Sequence, residues 1–165
     1  SEHIPACEKG FKDVMSKGPL AAFPMVGVKV TLNDGKYHDV DSSDLAYQLA
    51  ARTAMRDAVK KSSPVLMEPV MKVEVETPSD FQGSVIGDLS SRRGVIYGTD
   101  VNGDDTVINA GVPLGEMFGY ATQLRSLTSG KANYSMEFEK YNRCPAFVQE
   151  KVIKERAEKM REEQG

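Results

Sequence analysis

Met71-Lys72-Val73-Glu74-Val75-Glu76 alternates apolar and charged side chains at every step. A period of two is that of a β-strand with one face buried and the other in water. Thr77-Pro78-Ser79-Asp80 ends the run, and a helical pattern follows over about Phe81–Ser91. Val95–Val101 and Asp105–Val112 then flank Asn102-Gly103, the strongest two-residue hairpin signal. Pro113 fits the first position of a helix, so a second helix is expected over Leu114–Thr128, ended by Ser129-Gly130. Ala132–Tyr141 closes the segment as a strand, with Ala132, Tyr134, Met136 and Phe138 on one face and Asn133, Ser135, Glu137 and Glu139 on the other. The order βαββαβ is the ferredoxin-like plan of the α+β class: a four-stranded antiparallel sheet with two helices on one face.

Upstream, residues 4–17 read as a helix. Ile4, Phe11, Val14 and Met15 share a face, Pro5 suits the first turn, and Gly18-Pro19 stops it. Pro24–Leu32 reads as a strand through Val26, Val28 and Val30. Asn33-Asp34-Gly35 is turn chemistry, and the loop runs on through Asp39. A second helix is expected to start at Asp41 or Ser42, with Asp41 and Asp44 forming a variant capping box, and to run to about Lys61. Ser62-Ser63-Pro64 marks a boundary. Downstream, Ala146–Glu163 is a charged helix with a narrow stripe of Val148, Val152, Ile153, Ala157 and Met160. Its pairs Glu150–Lys154 and Glu155–Lys159 are well oriented. The division is therefore 1–63, 64–141 and 142–165, with the last helix docking back on the first part.

Composition excludes more than it identifies. The chain has 165 residues, 40% of them hydrophobic and 27% charged, and no apolar run near the ~20 residues of a membrane helix. Ser1 opens it with no leader pattern, which reads as a cut rather than a natural start. Cys7 and Cys144 lie far apart, and His3 and His38 are the only histidines, so no metal-ligand spacing exists. Two reduced thiols in a cytoplasmic protein is the expectation. Net charge is −3, divided as +1 over residues 1–63, −5 over 64–141 and +1 over 142–165. Any nucleic-acid contact must then use local patches and shape, because no segment is a polycation.

Catalytic chemistry is scarce. No G-x-x-x-x-G-K-[ST] loop is present, and Gly130-Lys131-Ala132 lacks both the first glycine and the hydroxyl. His38 stands in a polar loop beside Tyr37 and Asp39, where residues alone allow a solvated histidine or a recognition tip. Arg92-Arg93 ends a helix, and Arg125 lies on the next, near Ser126 and Lys131. These cations suit either phosphate contact or plain dipole complementation. Pro113–Phe118 is a predicted helix N-terminus, a general anion-binding feature.

Several long stretches resemble elongation factor G. Lys61–Pro78 (KSSPVLMEPVMKVEVETP) resembles the entry to its domain V, and Gly87–Gly94 (GDLSSRRG) the end of that domain's first helix. Val112–Phe138 (VPLGEMFGYATQLRSLTSGKANYSMEF) resembles its second helix and last strand. IPACEKGF and GPLAAFPMVGVKVTLNDGKYHDVDSSDLAYQLA resemble the second half of domain IV. The likeness covers Ile4 to Tyr141 and implies a truncated βαβ-type half of domain IV followed by domain V.

What the resemblance implies about function is specific. The family hydrolyses GTP with Mg²⁺ in a domain this chain lacks, promotes tRNA–mRNA translocation, and splits ribosomes with a recycling factor. Partners are then the ribosome, through rRNA of both subunits, tRNA–mRNA at the decoding region and the stalk-base protein, with no membrane. Gly35–Ser43 matches a domain IV tip loop, which makes Tyr37, His38, Asp39 and Ser42 decoding-site candidates. Arg92, Arg93, Pro113, Glu116, Met117, Phe118 and Arg125 become rRNA-contact candidates. The chain itself is expected to be non-catalytic, without metal or cofactor. A recycling-only paralogue and a ribosomal-protection protein are the alternatives, and the intact HDVDSS stretch (His38–Ser43) favours the translocase.

Overall fold

A computed structural model describes residues 2–40 and 42–165. The expected cap at Asp41 lies outside the described residues. The chain divides into two units, Ser1–Leu66 with Pro145–Gly165, and Met67–Cys144.

The second unit is built on four strands: β1 (Met67–Pro78), β2 (Val95–Asn102), β3 (Asp105–Pro113) and β4 (Asn133–Arg143). They pair in the order β2-β3-β1-β4, all antiparallel, as the ferredoxin-like plan requires. Helix α3 (Gln82–Ser91) follows a short 3₁₀ turn at Ser79–Phe81. Val73 and Val75 of β1 and Ile108, Ala110 and Val112 of β3 form one core with Val85 and Leu89 of α3. Gly103 takes a positive φ of 65° at the head of the β2–β3 hairpin, where a two-residue loop favours glycine. On β4, Tyr134 and Met136 pair with Val75 and Val73, so the predicted face is correct. Both stay partly exposed because β4 is an edge strand.

The helix expected over Leu114–Thr128 is in fact two pieces. A 3₁₀ turn, Leu114–Glu116, breaks at Met117, and helix α4 begins anew as Tyr120–Leu127. Gly119 sits between them at φ 74°, a left-handed conformation that only glycine adopts without cost. Met117 and Tyr120 still reach the core from either side of the break.

In the first unit, helix α1 (Ile4–Met15) packs along α2 (Asp44–Lys61), with Val14 against Met55 and Val59. Gly10 lets them meet: a β-carbon there would stand 2.5 Å from the Gln48 carbonyl. Ser43 caps α2, its Oγ accepting from Ala46 N at 3.1 Å. Pro24–Leu32 forms no strand: among the described residues it joins no ladder, Met25 N donates instead to Met15 O at 2.7 Å, and Gly27 turns at φ 69°. Val26 is left 72% exposed. The period-two pattern predicts a buried face that is absent here, since Val28 and Val30 are exposed as well, and a strand also needs a hydrogen-bonded neighbour. Helix α5 (Ala146–Gln164) belongs to this unit. Gln149 Oε1 accepts from Leu66 N at 3.0 Å, and the Arg156 guanidinium lies 5.0 Å over the Phe23 ring. On α5, Lys151–Glu155 is the i,i+4 pair that closes, at 3.9 Å. No helix among the described residues is long and apolar enough to cross a membrane.

Candidate functional site

The two clusters of candidate residues fall in different units. In the first unit, Ser42 bonds twice to His38 in the loop ahead of α2. Its Oγ accepts from His38 N at 2.7 Å, and its own N–H donates to His38 O at 3.0 Å. Tyr47 Oη, on α2, donates to Lys36 O at 2.8 Å. The closed loop leaves Tyr37, His38 and Asp39 exposed to solvent.

His3, the residue just ahead of α1, supports this loop, a role no sequence pattern marked. Its ring stacks on Tyr47 at 4.4 Å and faces Tyr37 at 6.1 Å. Its Nδ1 donates to Asp44 Oδ1 at 2.8 Å. The partners lie 34 to 44 positions away, so only the packing of α1 on α2 brings them together.

In the second unit the candidates separate into two kinds. Phe118 is 82% exposed at the summit of the 114–119 turn, while Pro113 and Met117 are buried supports beneath it. Arg92 is half-buried, and its Nε donates to Asp88 Oδ2 at 3.0 Å. Its Nη1 donates to Glu116 O at 2.6 Å and reaches Phe118 O at 3.4 Å. The same guanidinium lies 5.0 Å over the Tyr120 ring. Arg93, at φ 58°, grips Glu68 with two bonds of 2.8 and 2.9 Å and donates from Nε to Glu116 Oε1 at 3.2 Å. Its pKa is raised, chiefly by the Glu68 hydrogen bond. Cys144 is buried nearby, and burial pushes its thiol pKa up, with Glu68 adding to the shift. Arg125 is exposed on α4 and joins none of the ion pairs found among the described residues.

Two expectations change here. Pro113–Phe118 holds a 3₁₀ turn, Leu114–Glu116, rather than an α-helical N-terminus, so no α-helix dipole stands behind it. Arg92 and Arg93 are engaged within the fold, which leaves Arg125 as the open cation of the set. The uncovered sheet face bears Glu74, Glu76, Glu137 and Glu139 against Lys72, and that charge repels a phosphate backbone.

Comparisons with known proteins place both units. The family described as "Elongation factor G C-terminus" matches residues 65–152, and "Elongation factor G, domain IV" matches residues 1–63. Elongation factor G of Aquifex pyrophilus is 56% identical over 155 residues, covering 94% of this chain and 22% of that protein. Elongation factor G 1 of Syntrophus aciditrophicus (strain SB) is 53% identical over 159 residues, covering 96% and 23%. A crystal structure of a Thermus thermophilus protein superposes with a TM-score of 0.84 at 40% identity, covering 96% of this chain and 24% of that one. The chain thus spans under a quarter of the length of the curated relatives it matches.

Proposed function

This chain belongs to the elongation factor G family, and from that premise we propose that it is the ribosome-contacting part of a translocase. The whole protein would hydrolyse GTP with Mg²⁺ outside this chain and work in the cytoplasm. The tip loop would enter the decoding region beside tRNA–mRNA and oppose its return. The 114–119 turn and Arg125 would meet large-subunit rRNA near the stalk base. Ribosome splitting with a recycling factor belongs to the same reading.

One observation carries it. The 38–42 loop is closed on itself by Ser42 yet presents Tyr37, His38 and Asp39 to solvent. A tip whose His38 is tied to Ser42 enters an RNA-lined site at a smaller ordering cost than a free loop. It needs no strong positive field, which agrees with a net charge of −3.

The test is His38→Ala in the full-length protein. Single-turnover translocation should slow while ribosome-stimulated GTP hydrolysis holds. Equal loss of both rates would sink the tip assignment. Splitting of ribosomes or release of tetracycline without any translocation would favour a specialised paralogue instead.

A further inference from the structure

We propose that Arg92 and Arg93 are positioning residues that hold the Phe118 turn in its presenting shape, and that neither is a phosphate ligand. The inference rests on reading that turn as an RNA-contacting surface, and it reassigns the two most obvious cations in the second unit.

Charge is the first argument. Two guanidinium groups meet three carboxylates here: Asp88 on α3, Glu68 on β1 and Glu116 on the turn. The local sum is one negative charge, so a phosphate would have to displace a carboxylate already bound at 2.8 to 3.2 Å. Half-buried charge-assisted pairs still cost energy to break, since the partner is left without its hydrogen bond.

Geometry is the second. Arg92 donates to two backbone carbonyls, Glu116 O and Phe118 O, that flank Met117. Arg93 adds the Glu116 side chain and ties it to Glu68 at the start of β1. The turn is therefore gripped from outside while Met117 and Tyr120 pin it from inside. Its sole large apolar group turned to solvent is Phe118, 82% exposed. An aromatic ring held in this way fits the face of an unpaired nucleobase, where stacking needs no charge.

A planar fork is required for this grip, because one guanidinium serves a carboxylate, two carbonyls and an aromatic face together. Lysine keeps the charge and loses the fork. Arg92→Lys thus separates positioning from phosphate binding.

The chain contains no tryptophan, so Phe118→Trp installs a unique reporter in the 165-residue protein. In that background Arg92→Lys and Arg92→Gln should both lower the anisotropy of the tryptophan and raise its quenching by iodide. With Phe118 in place, each should weaken binding to vacant ribosomes about tenfold, part of one stacking contact. The slope of log affinity against log salt should stay unchanged. A slope shallower by about one, with anisotropy unaltered, would make Arg92 a phosphate ligand and overturn the proposal. Full affinity in Phe118→Ala would remove the RNA-contact reading alone, and the reporter would still decide whether Arg92 holds the turn. Circular dichroism melting checks that each variant is folded, and Arg93→Lys repeats the test should Arg92→Gln not fold.

Discussion

The Tyr97 hydroxyl donates a 2.7 Å hydrogen bond to Glu139 Oε2, so the two edge strands β2 and β4 are joined across β3 and β1. The bond raises the tyrosine pKa to about 12, with burial adding to the shift. The folded value lies above the unfolded one of about 10, so the unfolded chain ionises first. Stability from this bond is complete below about pH 10 and is lost as pH climbs through the folded pKa. Tyr97 is 47% exposed, so the contribution stays below about 1 kcal/mol. Denaturant unfolding of the native chain and Tyr97→Phe should differ at about pH 8 and converge above about pH 12. A gap that persists at high pH would refute this account.

Gly111 makes that bond possible. A β-carbon at Gly111 would run into the Tyr97 hydroxyl and ring. The obstacle is the end of a flexible side chain, so Gly111→Ala should swing Tyr97 away rather than break the sheet. The double variant with Tyr97→Phe should then cost less than the sum of the singles, with a coupling of about 0.5 kcal/mol or more. Strict additivity would show that the two positions act independently.

Gly10→Ala should destabilise the first unit by up to about 2 kcal/mol. Alanine gains ~1 kcal/mol of helix propensity, but overpacking costs ~1–3 kcal/mol and here meets backbone that cannot step aside. Amide exchange should quicken in α1 and α2 and stay unchanged in β1 and β3. A more stable first unit would show that the helices separate freely.

Phe118→Ala and Leu89→Ala form a contrasting pair. Leu89 is fully buried in the core, and its truncation should cost ~2–5 kcal/mol. Phe118 is mostly in solvent, so its truncation should change stability by no more than ~0.5 kcal/mol. Calorimetric melting distinguishes them. A large loss at Phe118 would mean that the ring serves the fold rather than a partner.

His3→Ala should free the tip loop. It removes the stack on Tyr47 and the Asp44 hydrogen bond, whereas His38→Ala removes neither. Limited proteolysis within 36–40 should accelerate in the first variant and not in the second. Equal cleavage would show that the stack does not restrain the loop.

Much of the second unit is legible because its signals are local. Val73 and Val75 announce a half-buried strand, and Asn102-Gly103 announces the hairpin. The misread helix at 114–128 has a physical cause. Gly119 inside an otherwise helical pattern is ambiguous until its φ is known. Pro24–Leu32 shows the opposite limit: alternation is local, but a ladder partner is not. The site is legible as a set of residues and illegible as an arrangement. Arg92 reaches Glu116 and Phe118 across 24 and 26 positions, and His3 reaches Asp44 across 41. Nothing in the spacing distinguishes a clamp from a ligand.

The route of the chain through its two units sets an order of assembly. Every strand of the sheet lies between Met67 and Arg143, so this unit can close once that stretch has been synthesised. The first unit holds the earliest residues and yet includes α5, whose Gln149 reaches back to Leu66 across 83 positions. Loop closure of that span must precede the contact, which makes it a late event. On a translating ribosome α1 and α2 could pair early, while the carbonyl of Ala21, the Phe23 ring and Leu66 would wait for α5 until after a later-made neighbour had finished.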